Sequence, residues 1–235
     1  MNKRFLWISV LAVVVSFIGG FLLANALNRN ELHLLRAENE RLKKTSQDSP
    51  NNTLADEEIR AKIAEADQNP ESFEFQKNLG IALYRYARIK QDVPLLTDVE
   101  RLLSRANKLN EKDFDVLETL GHTYFDIGYA KKDNENFQKS REIYEKALAE
   151  KPGNIDIKTD YGLTYLFENP PQNEKAVEQL NKVLEENPRH ERALQFIAQA
   201  HVRQKNYKEA ENYLAKLKEV NPKNEFIAEL ESQIK

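Results

Sequence analysis

The hydrophobic positions of this chain follow two patterns. Residues 5–27 form one unbroken apolar run, whereas from residue 54 onward apolar residues recur every three or four positions among charged ones. The first pattern is typical of a membrane-spanning helix, and the second is typical of amphipathic helices that bury one face. The sequence therefore predicts an all-α protein, with a single transmembrane helix followed by a helical domain.

The apolar run 5–27 contains 23 residues and no charge. A helix of this length spans about 34 Å, enough to cross a bilayer core of about 30 Å. A cleavable signal peptide is the alternative, because residues 1–4 are basic and Ala24-Asn25-Ala26 fits a cleavage pattern. The apolar stretch before that motif is longer than usual for a signal peptide, which favours an uncleaved signal anchor.

More basic residues follow the membrane segment than precede it, so a simple positive-inside count favours the orientation opposite to export. A tail of four residues, 1–4, is hard to translocate, and long domains cross a membrane largely regardless of charge. We therefore expect a cytoplasmic N-terminus in a bacterial inner membrane, with the bulk of the chain on the periplasmic or extracytoplasmic side.

Two adjacent segments predict a homodimer. Small residues recur at every fourth position of the membrane helix: Ala12, Ser16, Gly20 and Ala24. Such a ladder lets two membrane helices approach closely. The juxtamembrane segment 28–44 places Leu32, Leu35, Asn39 and Leu42 at coiled-coil core positions. A solvated, unpaired helix is the alternative, and the polar segment 45–53 that follows is expected to be a linker.

The remaining sequence repeats. Gly80, Gly121 and Gly162 are each 41 residues apart, and Ala198 takes the equivalent place 36 residues later. An amphipathic helix follows each of them and usually ends at an Asn and a Pro. A small residue lets two helices pack closely, and a proline ends a helix because it has no N–H to donate.

This order of helix, small residue, aromatic residue, turn, helix and proline resembles the tetratricopeptide repeat (TPR) family. The fourth unit fits the family spacing without insertion, through Leu194, Ile197, Ala198, Ala210, Leu214, Leu217 and Pro222. The third unit has two extra residues near Pro170, and the first has Glu111 where the proline is expected. The resemblance implies a right-handed α-solenoid of about four helical hairpins, whose stacked units share one core.

The predicted domain order after the linker has six parts. They are an N-terminal half-repeat helix at 54–72, repeats at 73–113, 114–154, 155–190 and 191–224, and a C-terminal capping helix at 225–235. The first two units each hold seven more residues than the fourth. We expect these residues to lengthen both helices of each hairpin by about a turn rather than to form a loop.

The resemblance implies that first helices face a concave groove that binds a peptide or helix. The positions that match the groove of the family are Lys77, Ile81, Tyr84, Glu118, His122, Phe125, Thr159, Leu163, Leu166, Gln195, Gln199 and Val202. Its expected floor is apolar, from Ile81, Tyr84, Phe125, Leu163 and Leu166. The alternative is that several of these side chains only pack between helices. Because Ile81 follows Lys77 where the family's carboxylate clamp has Asn, binding of chaperone tails is not expected.

Nothing in the sequence predicts catalysis, a cofactor or a metal. The chain has no cysteine, its four histidines lie in separate segments, and no phosphate-binding or nucleophile motif is present. Residues 1–50 hold seven Lys and Arg against four Asp and Glu, so the remainder holds 28 against 34 and is acidic. Its charges are interspersed, which argues against a nucleic-acid partner.

These features predict a non-enzymatic, membrane-anchored TPR adaptor that binds a protein or peptide partner. Its layout is similar to that of bacterial envelope TPR proteins, including those of c-type cytochrome biogenesis; this likeness names no substrate. The alternatives are an ancillary factor of the secretion translocon or of envelope assembly, and a structural oligomerisation subunit of a membrane complex.

Overall fold

The structure is a computed structural model, and it describes residues 56–234. The predicted tail 1–4, membrane helix 5–27 with its dimer face, juxtamembrane helix 28–44 and linker 45–53 lie outside the described residues. Within 56–234, no helix combines the length and the hydropathy that crossing a membrane requires.

Residues 56–234 form ten α-helices and no strand. The helices are α1 (Asp56–Gln68), α2 (Phe73–Lys90), α3 (Leu95–Leu109), α4 (Phe114–Lys131), α5 (Asn134–Glu150), α6 (Ile155–Phe167), α7 (Asn173–Glu186), α8 (Glu191–Arg203), α9 (Tyr207–Val220) and α10 (Ile227–Ile234). Each pair from α2/α3 to α8/α9 packs as a hairpin, and each hairpin packs on the next. The prediction of an all-α solenoid is confirmed for this part of the chain.

A hydrophobic core runs through the whole stack. Its first cluster extends from Ile59 in α1 to Ile157 in α6, its second joins α6, α7 and α8, and its third joins α8 and α9 to Leu230 in α10. Leu184 and Tyr213 border both the second and the third cluster. The helices α1 and α10 therefore cover the two ends of the core, in the segments expected for the half-repeat and the cap.

The first helices form the inner layer of the stack. The helices α2, α4 and α6 each directly contact the next first helix in the series, whereas successive second helices are farther apart. A row of hairpins that is closer on one side curves toward that side. We call the layer of α2, α4, α6 and α8 the inner face.

The repeated glycines permit the close approach of the two helices in each hairpin. A β-carbon on Gly80 would lie 2.7 Å from Leu103 Cδ2, and one on Gly121 would lie 2.5 Å from Tyr144 Cδ1. Both distances are too short for real carbon atoms. This confirms the packing role that the 41-residue spacing predicts.

The extra residues of the first two units lengthen helices, but unevenly. The first helices α2 and α4 have 18 residues each, against 13 in α6 and α8. The second helix α5 has 17 residues, yet α3 has only 15, against 14 in α7 and α9. The expectation of two longer helices is therefore confirmed for the second hairpin. In the first hairpin it is wrong for α3, because α2 takes five of the seven extra residues, and the turn before Leu95 and α3 take one each.

Three of the hairpin turns share one backbone geometry. Gln91, Lys132 and Lys205 have φ values of 55°, 53° and 59°, in the left-handed region. In each turn the next residue donates its backbone N–H to a carbonyl five residues earlier, as in Asp133 to Gly128 at 2.9 Å. This is the Schellman closure of a helix C-terminus, here built without glycine.

Candidate partner-binding face

Five of the twelve predicted groove residues are buried. Thr159 and Leu166 expose no surface, Leu163 exposes 2%, and Gln195 and Tyr84 expose 5% and 7%. Leu163 and Leu166 pack with Leu180 and Ile197 in the core between hairpins. The predicted apolar floor is therefore wrong at these two leucines, because the neighbouring hairpin covers the side of α6 on which they lie, and at Tyr84, which is buried in the first core cluster.

The other seven predicted residues retain part of their surface. They are Lys77, Ile81, Glu118, His122, Phe125, Gln199 and Val202. Lys77 is engaged within the chain, since its Nζ lies 2.8 Å from Asp113 Oδ2 and 3.1 Å from Asp115 Oδ2. Its charge is thus neutralised by the start of α4, and it is not free to bind a carboxylate of a partner.

A row of polar contacts crosses the inner face and joins all four first helices. The Tyr84 hydroxyl donates to Asp126 Oδ2 at 3.0 Å, which links α2 to α4. His122 Nε2 lies 3.1 Å from Asp160 Oδ2, which links α4 to α6. Arg192 donates to Asp160 Oδ1 at 2.5 Å, which links α6 to α8. We call these five residues the polar ladder.

The pKa values of the two carboxylates of the ladder are shifted in opposite directions. Burial raises the pKa of Asp126, although the Tyr84 hydroxyl and the nearby Arg88 act against this effect. Burial acts in the same direction on Asp160, but the hydrogen bond from His122 and the charge of Arg192 outweigh it and lower its pKa. Asp160 is thus held ionised, and His122 Nε2 must carry the proton that it donates.

A series of aromatic rings connects α4, α5, α6 and α8. The ring of Phe125 lies 5.7 Å from that of Phe137 and 6.0 Å from that of Phe167, and Phe167 lies 5.9 Å from Phe196. All three pairs meet edge to face, which is a favourable geometry for aromatic rings. Phe125 is therefore partly committed to packing, as the alternative interpretation of the groove allows.

The histidines of two first helices are engaged within the chain. No group of three or more acidic or histidine side chains in residues 56–234 could hold a metal ion. His122 is engaged with Asp160, and His201 stacks on Tyr213 at 5.6 Å. The arrangement instead presents fixed, mixed polar and apolar side chains along one face.

Sequence reasoning missed three ladder residues, Asp126, Asp160 and Arg192. It considered only three positions per first helix, and these residues occupy others. A usable signal existed, because Asp126 follows Tyr84 by 42 residues and Asp160 follows His122 by 38, both close to the repeat period. Complementary polar residues one repeat apart are candidates for contacts between hairpins.

Comparison with known protein families identifies repeats in two segments of the chain. Two family profiles described as Tetratricopeptide repeat match residues 121–154 and residues 172–234. A search of curated proteins gives no match.

Several solved structures are similar to this chain. MamA 41-end from Desulfovibrio magneticus RS-1 is 19% identical, with a TM-score of 0.59, over 83% of this chain and 98% of the other. A second MamA crystal structure is 22% identical, with a TM-score of 0.54, over 70% and 87% of the two chains. A tetratricopeptide repeat protein from Parabacteroides merdae is 22% identical, with a TM-score of 0.57, over 77% and 64%.

At these sequence identities, the structural similarity is evidence for the fold alone. The matched repeats, the close helix contacts at Gly80 and Gly121, and the stacked hairpins agree with one another. Residues 121–154 and 172–234 are therefore tetratricopeptide repeats, and they stand in one stack with the remaining hairpins.

Proposed function

We propose that this protein is a non-enzymatic, membrane-anchored scaffold that binds a peptide or helix of a partner protein on its inner face. One observation carries the proposal. The first helices of four hairpins lie side by side, joined by the polar ladder, and present partly exposed side chains in a row. Repeat proteins use such extended faces for recognition.

The chemistry of the face suits an amphipathic partner. Ile81, Phe125 and Val202 offer apolar surface, while Glu118 and Gln199 have polar side chains with no hydrogen bond among the described residues. An amphipathic helix could bury its apolar stripe against the first group and bond to the second. Because the ladder already ties neighbouring helices together, little ordering of the face would be needed on binding.

The location of the scaffold is proposed from the sequence. Residues 5–27 would anchor the chain in a bacterial cytoplasmic membrane, and Ala12, Ser16, Gly20 and Ala24 would pair two copies. The repeats would then work on the outer side. A part in c-type cytochrome biogenesis or envelope protein assembly is supported only by this layout.

Site-specific photo-crosslinking in the full-length protein tests the inner face. A benzophenone amino acid is placed at Glu118 or Gln199, and in matched controls at Gln138 in α5 or Asn212 in α9, which are exposed on second helices. We expect one adduct at the inner positions and none at the controls. The crosslinked segment, made as a peptide, should then bind wild type and lose affinity for Ile81→Asp. Equal adducts at all four positions would contradict the proposal.

The anchor is tested separately. Full-length protein should resist extraction from membranes by alkaline carbonate, whereas a chain lacking residues 5–27 should be released. Protease added to spheroplasts should degrade the repeats if they lie outside. An N-terminus that begins after Ala26 in the mature protein would show a signal peptide instead and would leave the inner-face test unaffected.

A further inference from the structure

One edge of the solenoid collects exposed hydrophobic side chains. We define the turn edge as the last turn of each first helix with the loop after it, residues 87–94, 128–133, 164–172 and 200–206. Four large hydrophobic residues are exposed in the described chain. Ile89 (80% exposed) and Tyr129 (60%) lie on the turn edge, and Tyr207 (42%) directly follows it. The fourth, Leu109 (40%), lies on the opposite edge.

Within these four segments the exposed charges are all positive, whereas α5 and α7, which begin at the same edge, carry the exposed Glu135 and Glu174 in their first turns. The exposed charged residues of these four segments are Arg88, Lys90, Lys131, Lys132, Arg203 and Lys205, of which Arg88 pairs with Asp126 and Arg203 donates to the carbonyl of Leu166. The acidic residues there are engaged within the chain. Asp92 accepts from the backbone of Leu95, Asp133 accepts from that of Glu135, and Glu168 pairs with Arg141.

Helix dipoles alone do not produce this pattern. Cations are favoured at the C-terminus of any helix. The last turns of the first helices hold Arg88, Lys90, Lys131, His201 and Arg203, whereas those of the second helices α3, α5, α7 and α9 hold only Lys108 and Lys218. A dipole also gives no reason to expose Ile89 and Tyr129 to solvent.

Contacts through Tyr129 connect the exposed groups of the first three turns. The side chain of Tyr129 lines an open cleft together with Arg88, Val93 and Leu96, so the first two hairpins meet there. The ring of Tyr129 also lies 5.1 Å from that of Phe167 in the third hairpin. The exposed groups thus extend along several turns rather than around one pocket.

We infer that the turn edge docks on the surface of an anionic lipid bilayer. Tyrosine is favoured at the headgroup level of a bilayer, an exposed isoleucine can enter the acyl boundary, and lysines and arginines are attracted to acidic headgroups. An acidic protein segment would need its apolar residues in one pocket, but these protrude from separate turns. A bilayer surface can contact the whole turn edge at once. This inference goes beyond partner binding on the inner face and does not depend on residues 5–27.

The test uses the repeat region, residues 54–235, because its core is continuous and covered at both ends by α1 and α10. Co-sedimentation is measured with phosphatidylcholine vesicles that lack or contain phosphatidylglycerol, at low and high salt. We expect binding only with phosphatidylglycerol and weakening with salt. Lys90→Gln with Lys131→Gln should lower the partition coefficient by roughly tenfold or more. The matched control, Lys108→Gln with Lys112→Gln on the opposite edge, should change it little.

A second readout reports the orientation without relying on affinity. The chain has no cysteine, so a single Ile89→Cys or Leu109→Cys can carry an environment-sensitive fluorophore. Emission should shift to the blue on phosphatidylglycerol vesicles for position 89 and not for position 109. Equal shifts, or no binding to these vesicles at low salt, would overturn the inference. Binding of polyglutamate through Lys90 and Lys131 without vesicle binding would also overturn it, in favour of an acidic protein partner.

Discussion

His122 Nε2 in the second hairpin lies 3.1 Å from Asp160 Oδ2 in the third, and Arg192 in the fourth occupies the other oxygen of the same carboxylate. One carboxylate therefore holds three consecutive hairpins together. Its side chain is only 15% exposed, so these contacts are little screened by water. The register of the inner face should depend on this residue more than on any exposed ion pair.

We predict that Asp160→Asn lowers the free energy of unfolding at neutral pH by about 1.5–3 kcal/mol, the range for hydrogen bonds to a charged group. The pKa of Asp160 is lowered in the folded protein, so its ionised form is favoured by folding. That stabilisation is complete above the unfolded pKa of about 3.9 and is lost as pH falls through the lower folded value. Urea unfolding of both proteins across pH should show the difference shrink below about pH 4.

Asp126→Asn is the control, because the pH dependence of the free energy of unfolding at Asp126 should have the opposite sign. Burial raises the pKa of Asp126, so its ionisation opposes folding and this cost is relieved as pH falls through the folded pKa toward the unfolded one. Wild type should therefore gain stability relative to Asp126→Asn over that interval. Parallel pH profiles for the two variants would contradict the contrast between the carboxylates.

The sequence predicts the packing of helices within a hairpin better than the contacts between hairpins. Gly80 and Gly121 mark helix contacts because only a residue without a β-carbon fits where the facing helix comes this close. Contacts between hairpins, such as His122 with Asp160, depend on how far each hairpin rotates on the next, which no single helix encodes. For the same reason Leu163 and Leu166 were expected on the groove floor, yet the adjacent hairpin covers them.

The glycine contacts predict a graded series of substitutions. Gly121→Ala would place a β-carbon 2.5 Å from the fully buried ring of Tyr144, and overpacking of this kind costs about 1–3 kcal/mol. Gly162→Ala should cost less, because its nearest atom, Leu180 Cδ2, would lie at 3.1 Å. Thermal and urea unfolding give the order. Gly153→Ala is the matched control, since nothing lies within 4 Å of its β-carbon, and a loss as large as that of Gly121→Ala would refute the steric account.

Glycine is predicted to stabilise one of the hairpin turns. Gln91 has a φ of 55°, where a β-carbon is disfavoured, and its side chain is exposed. Gln91→Gly should raise the free energy of unfolding by roughly 0.5–1 kcal/mol, after the entropy cost of glycine is included. The same substitution at exposed Gln138, in the second turn of α5, should instead cost about 1 kcal/mol. If both variants lose stability to the same extent in urea unfolding, the left-handed strain at Gln91 is not significant.

The turn of the third hairpin is predicted to depend on a buried ion pair. Arg141 Nη2 in α5 lies 2.6 Å from Glu168 Oε1, and the two side chains are 13% and 6% exposed. The guanidinium also lies 4.3 Å from the centre of the Tyr165 ring. Removing one partner strands a buried charge, so Arg141→Ala should lower the free energy of unfolding by about 3–5 kcal/mol.

Two further variants separate charge from packing at this turn. Arg141→Met combined with Glu168→Leu removes both charges and should recover most of the loss, because neither partner is left unpaired. Lys182→Ala breaks an exposed pair with Glu178, whose side chains are 54% and 62% exposed, and should cost under about 0.5 kcal/mol. Urea unfolding of all four proteins measures these differences. A double variant as unstable as Arg141→Ala would show that the contact of Arg141 with Tyr165, rather than the ion pair, holds the turn in place.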